Sequence, residues 1–485
     1  MSSPRVAVVG GGISGLTAAH RLRTLLGPAA EVVVLEQRDR VGGVLRTVDL
    51  AGVPYDVGAE AFLWRRPELR ELLDDLGLAG EVVHPAGAAA SVRAGGVTVP
   101  LPTGTLLGVP TSAARLDGVL SAAGTAAARA ERDRPIDWAP GGDVALGGLL
   151  RDRFGDELAD RLADPLLGGV YAGRVDALGL RATVPALAVA LDAGASSVTA
   201  AADRATAPPP ASPASVHASS ASVHGELPVP AQPPVFGALR GGYAVLVDAL
   251  ATGVDVRLST TVRALNRLAD GWRLVLGPDQ GALDVDAVVL AVPAPAVARL
   301  LADVVPTAAT AAGEIELASS VVVALAYPEG DATRLPATSG VLVAAGEPVS
   351  IKAATHSSRK WPHLTASATD GLVRLRASVG RYGEEATLQV DDAELVARAR
   401  ADLATLAGIT AAPVAVHVQR WGGGLPQYGV GHVDRVGAID DAVACVPGLA
   451  VAGAALHGVG VPACVGTARA AAERVAEQLV AATAR

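Results

Sequence analysis

The sequence is poor in aromatic residues, cysteine and lysine. Phe, Trp and Tyr make up 3% of the 485 residues although half of the chain is hydrophobic, so the core has to be built from Ala, Val and Leu. Cys445 and Cys464 are nineteen positions apart and form no CxxC pair. This spacing argues against a metal site and against a disulfide framework, and it favours a reducing cytoplasm.

Positive charge is also scarce. Of 40 basic residues only Lys352 and Lys360 are lysines, the net charge is −9, and no basic tract occurs, which excludes nucleic-acid binding as a main function. The uncharged stretch 446–468 is long enough to cross a bilayer, but its glycines, its prolines and His457 oppose a lipid-facing helix. We therefore predict no membrane span and leave peripheral membrane contact open.

A short apolar strand that leads into a glycine-rich turn is the most informative feature present. Residues 6–9 run into Gly10-x-Gly12-x-x-Gly15, and the next apolar run ends in Glu36. In this pattern Gly10 allows a tight turn, Gly12 lets a pyrophosphate approach the backbone, and Gly15 lets a helix pack on the sheet. The acid suits a ribose diol and disfavours a 2′-phosphate, so the sequence predicts a nucleotide site for which NADP is the least suitable nucleotide.

Two later glycine loops fit the same kind of site. The pair Gly42 and Gly43 follows the second strand and allows backbone to lie close to a ligand. Near the C terminus, an apolar strand at 449–452 runs through Gly453 and Gly460 to a helix that starts near Pro462. The start of a helix carries about half a positive charge, which suits the negative pyrimidine edge of a reduced flavin.

Both ends of the chain thus contribute to one nucleotide-binding unit, an organisation typical of flavin dinucleotide enzymes. We predict an α/β fold with α+β inserts, in which residues 1–85, 236–297 and 420–485 form a Rossmann-like FAD-binding domain. Residues 98–192 form a helical domain, and residues 298–419 form an interleaved substrate-binding domain. No second complete dinucleotide fingerprint is present, so electrons enter from the organic substrate, as in an oxidase or a desaturase.

Residues 193–235 differ sharply in composition from the rest of the chain. They consist mainly of Ala, Ser, Thr and Pro and contain three charged residues other than histidine, Asp203, Arg204 and Glu226. Such a segment cannot bury enough apolar surface to offset its ordering entropy. We predict a disordered insertion inside a domain, with a partner-binding segment as the alternative.

The three glycine motifs together resemble the flavin amine oxidase and protoporphyrinogen oxidase superfamily. Residues 164–173, 360–363 and 420–432 are similar to its oxygen-dependent porphyrinogen oxidases in particular. The resemblance covers nearly the whole chain except 193–235, and it implies FAD as the cofactor and a role in haem synthesis. The composition and the soluble character favour the branch that oxidises coproporphyrinogen III over the branch that oxidises protoporphyrinogen.

The resemblance also implies which residues contact FAD. In chain order they are Gly10, Gly12, Ile13, Ser14 and Gly15 at the pyrophosphate, Glu36 at the adenosine ribose, Gly43 and Val44 along the ribityl chain, Gly58, Ala59 and Glu60 at the isoalloxazine, Val262 at the adenine, and Trp421, Gly453, Val459, Gly460 and Val461 around the rest of the pocket. Two positions depart from the family pattern, since Ala59 replaces a common proline and Tyr243 replaces the usual methionine.

Coproporphyrinogen carries four propionates, which arginine binds well through its bidentate fork. Arg66 and then Arg65 are the first candidates, because they follow directly on the turn at the predicted flavin edge. Lys352 and Lys360 are second candidates. No metal is expected, and the remaining histidines of these motifs are predicted to be structural hydrogen-bonding groups rather than proton relays: His363, His432 and His457.

Three functions stay open at this point. The first is oxidation of coproporphyrinogen III, with six electrons passed to molecular oxygen to give hydrogen peroxide. The second is another flavin enzyme, such as a protoporphyrinogen IX oxidase, an amine oxidase or a desaturase. The third is a non-catalytic flavin or porphyrin carrier. An enzyme of the haem pathway is a candidate protein partner.

Overall fold

The structure is a computed structural model that describes residues 3–207, 234–366 and 371–483. The described strands are, in chain order, β1 (Arg5–Val9), β2 (Glu31–Leu35), β3 (Thr47–Asp49), β4 (Pro54–Asp56), β5 (Phe62–Leu63), β6 (Val82–Val83), β7 (Ala90–Ala94), β8 (Val97–Pro100), β9 (Thr105–Leu106), β10 (Val109–Pro110), β11 (Phe236–Leu239), β12 (Asp255–Arg257), β13 (Ala264–Leu268), β14 (Gly271–Val275), β15 (Ala282–Val285), β16 (Ala287–Leu290), β17 (Leu317–Pro328), β18 (Gly340–Val343), β19 (Ile351–Thr355), β20 (Leu372–Val379), β21 (Ala415–Pro426) and β22 (Leu449–Val451).

The described α-helices are, in chain order, α1 (Ile13–Leu26), α2 (Pro67–Asp75), α3 (Ala122–Ala130), α4 (Leu146–Phe154), α5 (Asp156–Leu158), α6 (Asp164–Tyr171), α7 (Leu180–Thr183), α8 (Pro185–Asp192), α9 (Val198–Thr206), α10 (Ala244–Ala251), α11 (Ala294–Leu301), α12 (Pro306–Gly313), α13 (Ser357–Lys360), α14 (His363–Ala366), α15 (Asp392–Ala407), α16 (His432–Ala444) and α17 (Val461–Thr483). The mixture of strands and helices agrees with the predicted α/β class.

A five-stranded parallel sheet joins the two ends of the chain. Its order is β12-β2-β1-β16-β22, so the first strand of the chain lies two positions from the last. Strands that are buried on both faces are near-continuous apolar runs, as β1 and β16 are. Because all five strands point the same way, the glycine loops that follow β1 and β22 and the acid that follows β2 meet at one edge.

Helices cover both faces of this sheet. Small residues of α1 and α17 pack on one face with alternate residues of the strands. Helices α11, α12 and α16 and the antiparallel strands β13 to β15 pack on the other face. The structure thus associates residues 298–313 with the nucleotide-binding sheet, whereas the sequence analysis assigned them to the substrate-binding domain. The amphipathic pattern of a helix does not say which sheet it covers.

A second sheet has seven strands in the order β21-β17-β20-β19-β18-β7-β8. The helix α15 covers one of its faces with a row of buried aliphatic side chains. Two of its strands, β7 and β8, come from residues 90–100, where the helical domain was predicted to begin, and β21 continues to Pro426, beyond the predicted boundary at 419. Strands that pair in this sheet can be hundreds of residues apart in the sequence, as β7 and β18 are. The alternation of apolar and polar residues within one strand therefore does not reveal which strand it pairs with.

Helices α3 to α9 form a third layer with its own core. The predicted disorder is wrong for residues 193–207, because α9 lies there and buries Val198, Ala201 and Ala202. Its first turn is held by Glu131, whose carboxylate accepts the backbone N–H groups of Val198 and Thr199 at 2.9 Å. That carboxylate comes from 67 positions earlier and is invisible to a composition argument. Residues 208–233 of the predicted insertion lie outside the described residues.

Among the described residues no helix, α17 included, combines the length and the apolar character that a transmembrane helix requires.

Removing the Glu131 carboxylate should loosen the helical layer. Glu131 is fully buried, and it also accepts Nε of the buried Arg153 at 2.9 Å. Glu131→Ala leaves that guanidinium without its counter-ion, so we expect the free energy of unfolding to fall by about 3 kcal/mol in urea titrations. Asp133→Ala is the control, because Asp133 is exposed, and its effect should stay within about 0.5 kcal/mol. Equal losses in the two variants would contradict the assigned role.

Candidate active site

The glycine turn after β1 has no room for side chains at two positions and leaves space at a third. A Cβ on Gly10 would lie 2.4 Å from the carbonyl oxygen of Ala291, and one on Gly15 would lie 1.8 Å from that of Gly10. A Cβ on Gly12 would meet nothing closer than the Cα of Gly43, at 3.8 Å. The structure therefore leaves an open space at Gly12, where a pyrophosphate would approach.

The helix α1 begins directly at this open space. Its N-cap is Gly12, no side chain caps its first turn, and no acid lies in that turn. Ile13, Ser14 and Gly15 are the first three helical residues, so the free N–H groups and the positive end of the helix point to the loop. The arrangement fits an anionic group such as the pyrophosphate of a dinucleotide.

Glu36 lies at the end of β2 with its carboxylate oriented by the same loop. Its Oε2 accepts the N–H of Gly11 at 2.6 Å, and its Oε1 accepts the N–H of Arg38 at 2.8 Å. A carboxylate has about four acceptor positions, so two remain for the hydroxyls of a ribose. Val262 lies between β12 and β13, and its carbonyl accepts Nη2 of Arg299 at 3.1 Å.

The second glycine loop is hydrogen-bonded to the first one. The N–H of Gly42 donates to the carbonyl of Gly11 at 2.8 Å. Further along, a Cβ on Gly58 would lie 1.9 Å from the carbonyl oxygen of Val44 and 3.1 Å from the ring of Trp421. The indole N–H of Trp421 donates to the carbonyl of Val57 at 3.0 Å. Three segments from residues 11–58 and the distant Trp421 thus form one continuous wall.

Glu60 lies beside this wall in a buried ion-pair network. Its carboxylate is 2.8 Å from Nε of Arg376 and 3.0 Å from Nζ of Lys360, and it accepts the indole N–H of Trp361. Burial by itself would raise the pKa of Glu60, but the two cations outweigh it and hold the pKa at about 2. Glu60 is therefore an anion at neutral pH, and its low pKa makes it a weak base. Ala59 precedes it, with its N–H 3.4 Å from the carbonyl of Val44.

Arg376 is a residue of this network that the sequence analysis missed. It comes from β20, where Arg374 and Arg376 alternate with buried apolar residues. The sequence did contain a signal for this residue, namely two arginines on the same face of an otherwise apolar strand. Charged side chains are rarely buried unless they are paired, so such arginines are expected to bind an anion or a carbonyl group. Arg376 also donates to the carbonyl of Gly58 at 2.9 Å, so the seven-stranded sheet holds the turn of the predicted flavin edge directly.

The C-terminal glycine loop is held by Tyr428 and His432. The hydroxyl of Tyr428 donates to the carbonyl of Ala454 at 2.6 Å and accepts the N–H of Gly458 at 2.8 Å. The ring of Tyr428 stacks on His432 with 3.8 Å between centroids, and burial lowers the pKa of His432 to about 4. A neutral His432 fits the structural role predicted for it.

The same loop leads to the N terminus of α17. The N–H of Gly453 donates to Oγ1 of Thr467 at 3.1 Å, so the start of the loop is fastened to the helix that follows it. Val459 and Gly460 come directly before the helix, and Val461 is its first residue. His457 lies in the loop as well, and a 2.9 Å bond to the carboxylate of Asp440 raises its pKa.

Arg65 and Arg66 lie on the outside of the protein. Nε of Arg66 donates to the carboxylate of Glu68 at 3.1 Å, at the start of α2, and both arginine side chains are exposed to solvent. The helix α2 buries its other side against α1 and α17. The hypothesis that these two arginines bind propionates gains no support from this geometry.

The sequence also matches a known family model. The model described as flavin containing amine oxidoreductase covers residues 13–476. The chain belongs to this family.

Relatives and solved structures agree with the family assignment. The chain is 44% identical to coproporphyrinogen III oxidase of Mycobacterium tuberculosis over 486 residues, with 100% of both chains covered. It is 30% identical to the enzyme of the same name from Bacillus subtilis, with 96% of both covered. A crystal structure from Exiguobacterium assigned as a protoporphyrinogen oxidase superposes with a TM-score of 0.82 at 30% identity, covering 98% of this chain and 99% of that one. Cyclohexylamine oxidase from Brevibacterium oxydans shares the fold at 17% identity, with a TM-score of 0.70 and 99% and 100% covered.

As a flavin amine oxidoreductase the protein is an enzyme, and its cofactor is FAD. The open space at Gly12, the uncapped start of α1 and the oriented carboxylate of Glu36 fit the pyrophosphate and the ribose of that cofactor. The positions at Gly43, Val44, Gly58 and Trp421 continue the same wall. The individual contacts of these residues with FAD stay predictions.

Asp56 is a second buried carboxylate of the predicted flavin edge. It accepts Oγ1 of Thr47 at 2.6 Å and the backbone N–H of Tyr243 at 3.1 Å, which fastens the hairpin β3–β4 to the start of α10. Burial raises the pKa of Asp56 to about 7 although these hydrogen bonds oppose the shift. Asp56 and Glu60 line a small cavity of about 20 Å³, room for a single water molecule.

A methyl group at Gly12 should remove FAD without unfolding the protein. Gly12→Ala meets no close neighbour but enters the space left for the pyrophosphate, so we expect the Kd for FAD to rise about tenfold or more. Flavin fluorescence titration and the thermal midpoint of the flavin-free protein provide the measurements. Gly148→Ala, at an open position in α4, should leave the Kd for FAD unchanged. Unaltered FAD binding in Gly12→Ala would place the pyrophosphate elsewhere.

The raised pKa of Asp56 should make stability depend on pH. Between pH 3.8 and about 7 the carboxyl is protonated in the folded protein and ionised in the unfolded chain, so stability is lost as the pH rises through this window. We expect the free energy of unfolding of the wild type, relative to Asp56→Asn, to fall by about 1.4 kcal/mol per pH unit there. Denaturant titrations at several pH values measure it, with Asp49→Asn on the exposed part of the same hairpin as control. If the difference in unfolding free energy between the wild type and Asp56→Asn did not change with pH in this window, the raised pKa of Asp56 would be refuted.

Proposed function

We propose that the protein catalyses the FAD-dependent oxidation of coproporphyrinogen III to coproporphyrin III in haem biosynthesis. The observation that supports this most strongly is the 44% identity, over both full lengths, to mycobacterial coproporphyrinogen III oxidases. Six electrons and six protons leave the macrocycle in three two-electron rounds. Three molecules of oxygen take them up and become three molecules of hydrogen peroxide, so atoms and electrons balance.

FAD, when bound, supplies the acceptor for each hydride that leaves the macrocycle. The residues of the chain have to place the ring and keep water away. Glu60, Arg376 and Lys360 form a fixed charge network at the predicted flavin edge, and Trp361 and Trp421 pack behind it. Protons from the pyrrole N–H groups can leave to solvent, so the reaction requires no strong general base, in agreement with the ionised and paired state of Glu60.

Oxidation of protoporphyrinogen IX is the second candidate. It is favoured by the structural match to the Exiguobacterium protein, at a TM-score of 0.82. A plant protoporphyrinogen oxidase from Arabidopsis thaliana also matches, at 32% identity over 188 residues, but this covers only 39% of the chain. The greater identity and coverage of the coproporphyrinogen III oxidases decide the order of the two proposals.

The proposed setting is the cytoplasm, where the substrate and oxygen diffuse to the enzyme. An enzyme of the haem pathway is the proposed class of protein partner, because porphyrins are poorly soluble and benefit from direct transfer. A membrane surface as a peripheral contact stays a hypothesis.

Side-by-side oxidation of the two porphyrinogens tests the proposal. FAD-loaded protein should convert coproporphyrinogen III to fluorescent coproporphyrin III faster than it converts protoporphyrinogen IX. Oxygen uptake and peroxide release should both approach three molecules per porphyrin formed. Flavin-depleted Gly12→Ala protein is the control for non-enzymatic oxidation. Faster turnover of protoporphyrinogen IX would favour the second candidate, and FAD-loaded protein that oxidises neither compound would refute both.

A further inference from the structure

Lys352 is a buried ammonium group without a carboxylate partner. Its relative exposure is 7%, and its Nζ donates to the carbonyl of Gly380 at 2.7 Å. Among the described residues, no carboxylate lies within ion-pair distance of Nζ, although other long side chains of this region have one. An ammonium has three donors and one is used, so two remain for a further acceptor. A buried cation of this kind requires a partner.

The surroundings of Lys352 carry an excess of positive charge. Arg381 follows Gly380, is largely buried, and donates to the carbonyl of Val343 at 3.0 Å. Arg174 lies nearby, 3.6 Å from the carboxylate of Asp164 and 3.5 Å from that of Glu384. Arg174 and Arg381 share the carboxylate of Glu384 within 4.0 Å, whereas Glu384 acts on Lys352 from beyond ion-pair distance. The three cations Lys352, Arg381 and Arg174 thus face the two carboxylates of Asp164 and Glu384. We call these three cations the cationic cluster.

Burial lowers the pKa of Lys352 to about 8, and the charge of Arg381 contributes to the shift. The ammonium is therefore still mainly protonated at pH 7. Arg381 and Glu384 are the charged groups that face it from the segment after β20.

The cationic cluster lies where the seven-stranded sheet meets the end of α6. Arg381 bonds to the end of β18, Lys352 belongs to β19, and the N–H of Tyr382 donates to the carbonyl of Ala172 at 2.7 Å, just after α6. Within the sheet, Ala353 pairs with Ser378 and Thr355 pairs with Arg376. Lys352 is three residues from Thr355, which corresponds to about 10 Å along a strand.

This places the cationic cluster at one end of a sheet face and the Glu60–Arg376 network at the other. The opposite face of the sheet packs against α15, because Leu375 and Ala377 alternate with the polar residues of β20. Between the two charged ends lie the small and half-buried residues Ala353 and Ser378. A porphyrinogen ring is about as wide as this interval. A macrocycle at the flavin edge could therefore extend an acidic arm to Lys352.

We propose that Lys352 and Arg381 form a carboxylate-binding subsite that takes a propionate arm of the porphyrinogen. The inference rests on the proposed function, since it names the residues that recognise the acidic substituents of that substrate. A guanidinium supplies a planar fork for a carboxylate, and the ammonium supplies a point charge beside it. Recognition by charge at a distance from the reacting carbons would affect substrate binding more than the chemical step.

A purely structural role is the competing explanation. Lys352 would then only fasten the turn after β20 through the Gly380 carbonyl, and its replacement would weaken folding and all ligands alike. The two explanations differ in whether the effect of the substitution depends on the carboxylates of the ligand. A double-mutant cycle between Lys352 and the ligand carboxylates separates them.

The experiment uses full-length, FAD-loaded protein and measures the Kd for coproporphyrin III and for its tetramethyl ester by fluorescence quenching. Lys352→Gln should weaken binding of the free acid about tenfold or more and leave the affinity for the ester unchanged. Lys352→Arg should retain most of the affinity for the free acid. Arg381→Gln, like Lys352→Gln, should weaken binding of the free acid and leave the affinity for the ester unchanged. The KM for coproporphyrinogen III should rise accordingly, with kcat nearly unchanged.

Arg398→Gln is the matched control, because Arg398 pairs with Glu394 on the exposed side of α15, behind the same sheet. It should change neither affinity. Equal weakening of acid and ester, or no weakening of the acid, would overturn the subsite while wild-type turnover still supports the proposed function. If Lys352→Gln loses its flavin, Lys352→Arg and Arg381→Gln decide the same question. Wild type that oxidises no porphyrinogen would instead refute the proposed function itself.

Discussion

The parallel register of the five-stranded sheet is the constraint on which the site depends. Since β1, β2, β16 and β22 all point the same way, every loop at their carboxyl ends lies on one edge. The turn after β1 supplies an uncapped helix start, the end of β2 supplies Glu36, and the loop after β22 supplies the start of a second helix. A dinucleotide needs these groups together, and only parallel pairing of distant strands provides them.

A second set of contacts joins the predicted flavin edge to the seven-stranded sheet and to α13. Arg376 in β20 binds both the carboxylate of Glu60 and the carbonyl of Gly58, and the hydroxyl of Tyr55 lies 2.6 Å from that of Ser357. These contacts are buried, where charges interact strongly and are costly to leave unpaired. The flavin edge and the seven-stranded sheet are therefore held in a fixed relation. The cationic cluster, the proposed carboxylate subsite, lies at the other end of the same sheet face.

Part of the architecture could be predicted because its signals are local. The strand and glycine turn at residues 6–15, the acid at Glu36 and the final helix follow from periodicity and from the steric freedom of glycine. The segment at 193–207 could not, because its order comes from Glu131, a buried carboxylate contributed from elsewhere in the chain. Arg66 follows the predicted flavin edge in the sequence, yet its exposed side chain pairs with Glu68, so its binding of a propionate stays a prediction.

The sequence by itself determined the family of the chain and the nucleotide turn, because both rest on motifs of neighbouring residues. The tertiary structure alone decided which strands pair, that Arg376 and Lys360 neutralise Glu60, and that Lys352 is left without an anion. The pairs at Glu60 join residues hundreds of positions apart, and Lys352 meets Gly380 from another strand. Electrostatic pairing and burial act through space, so no local pattern records them.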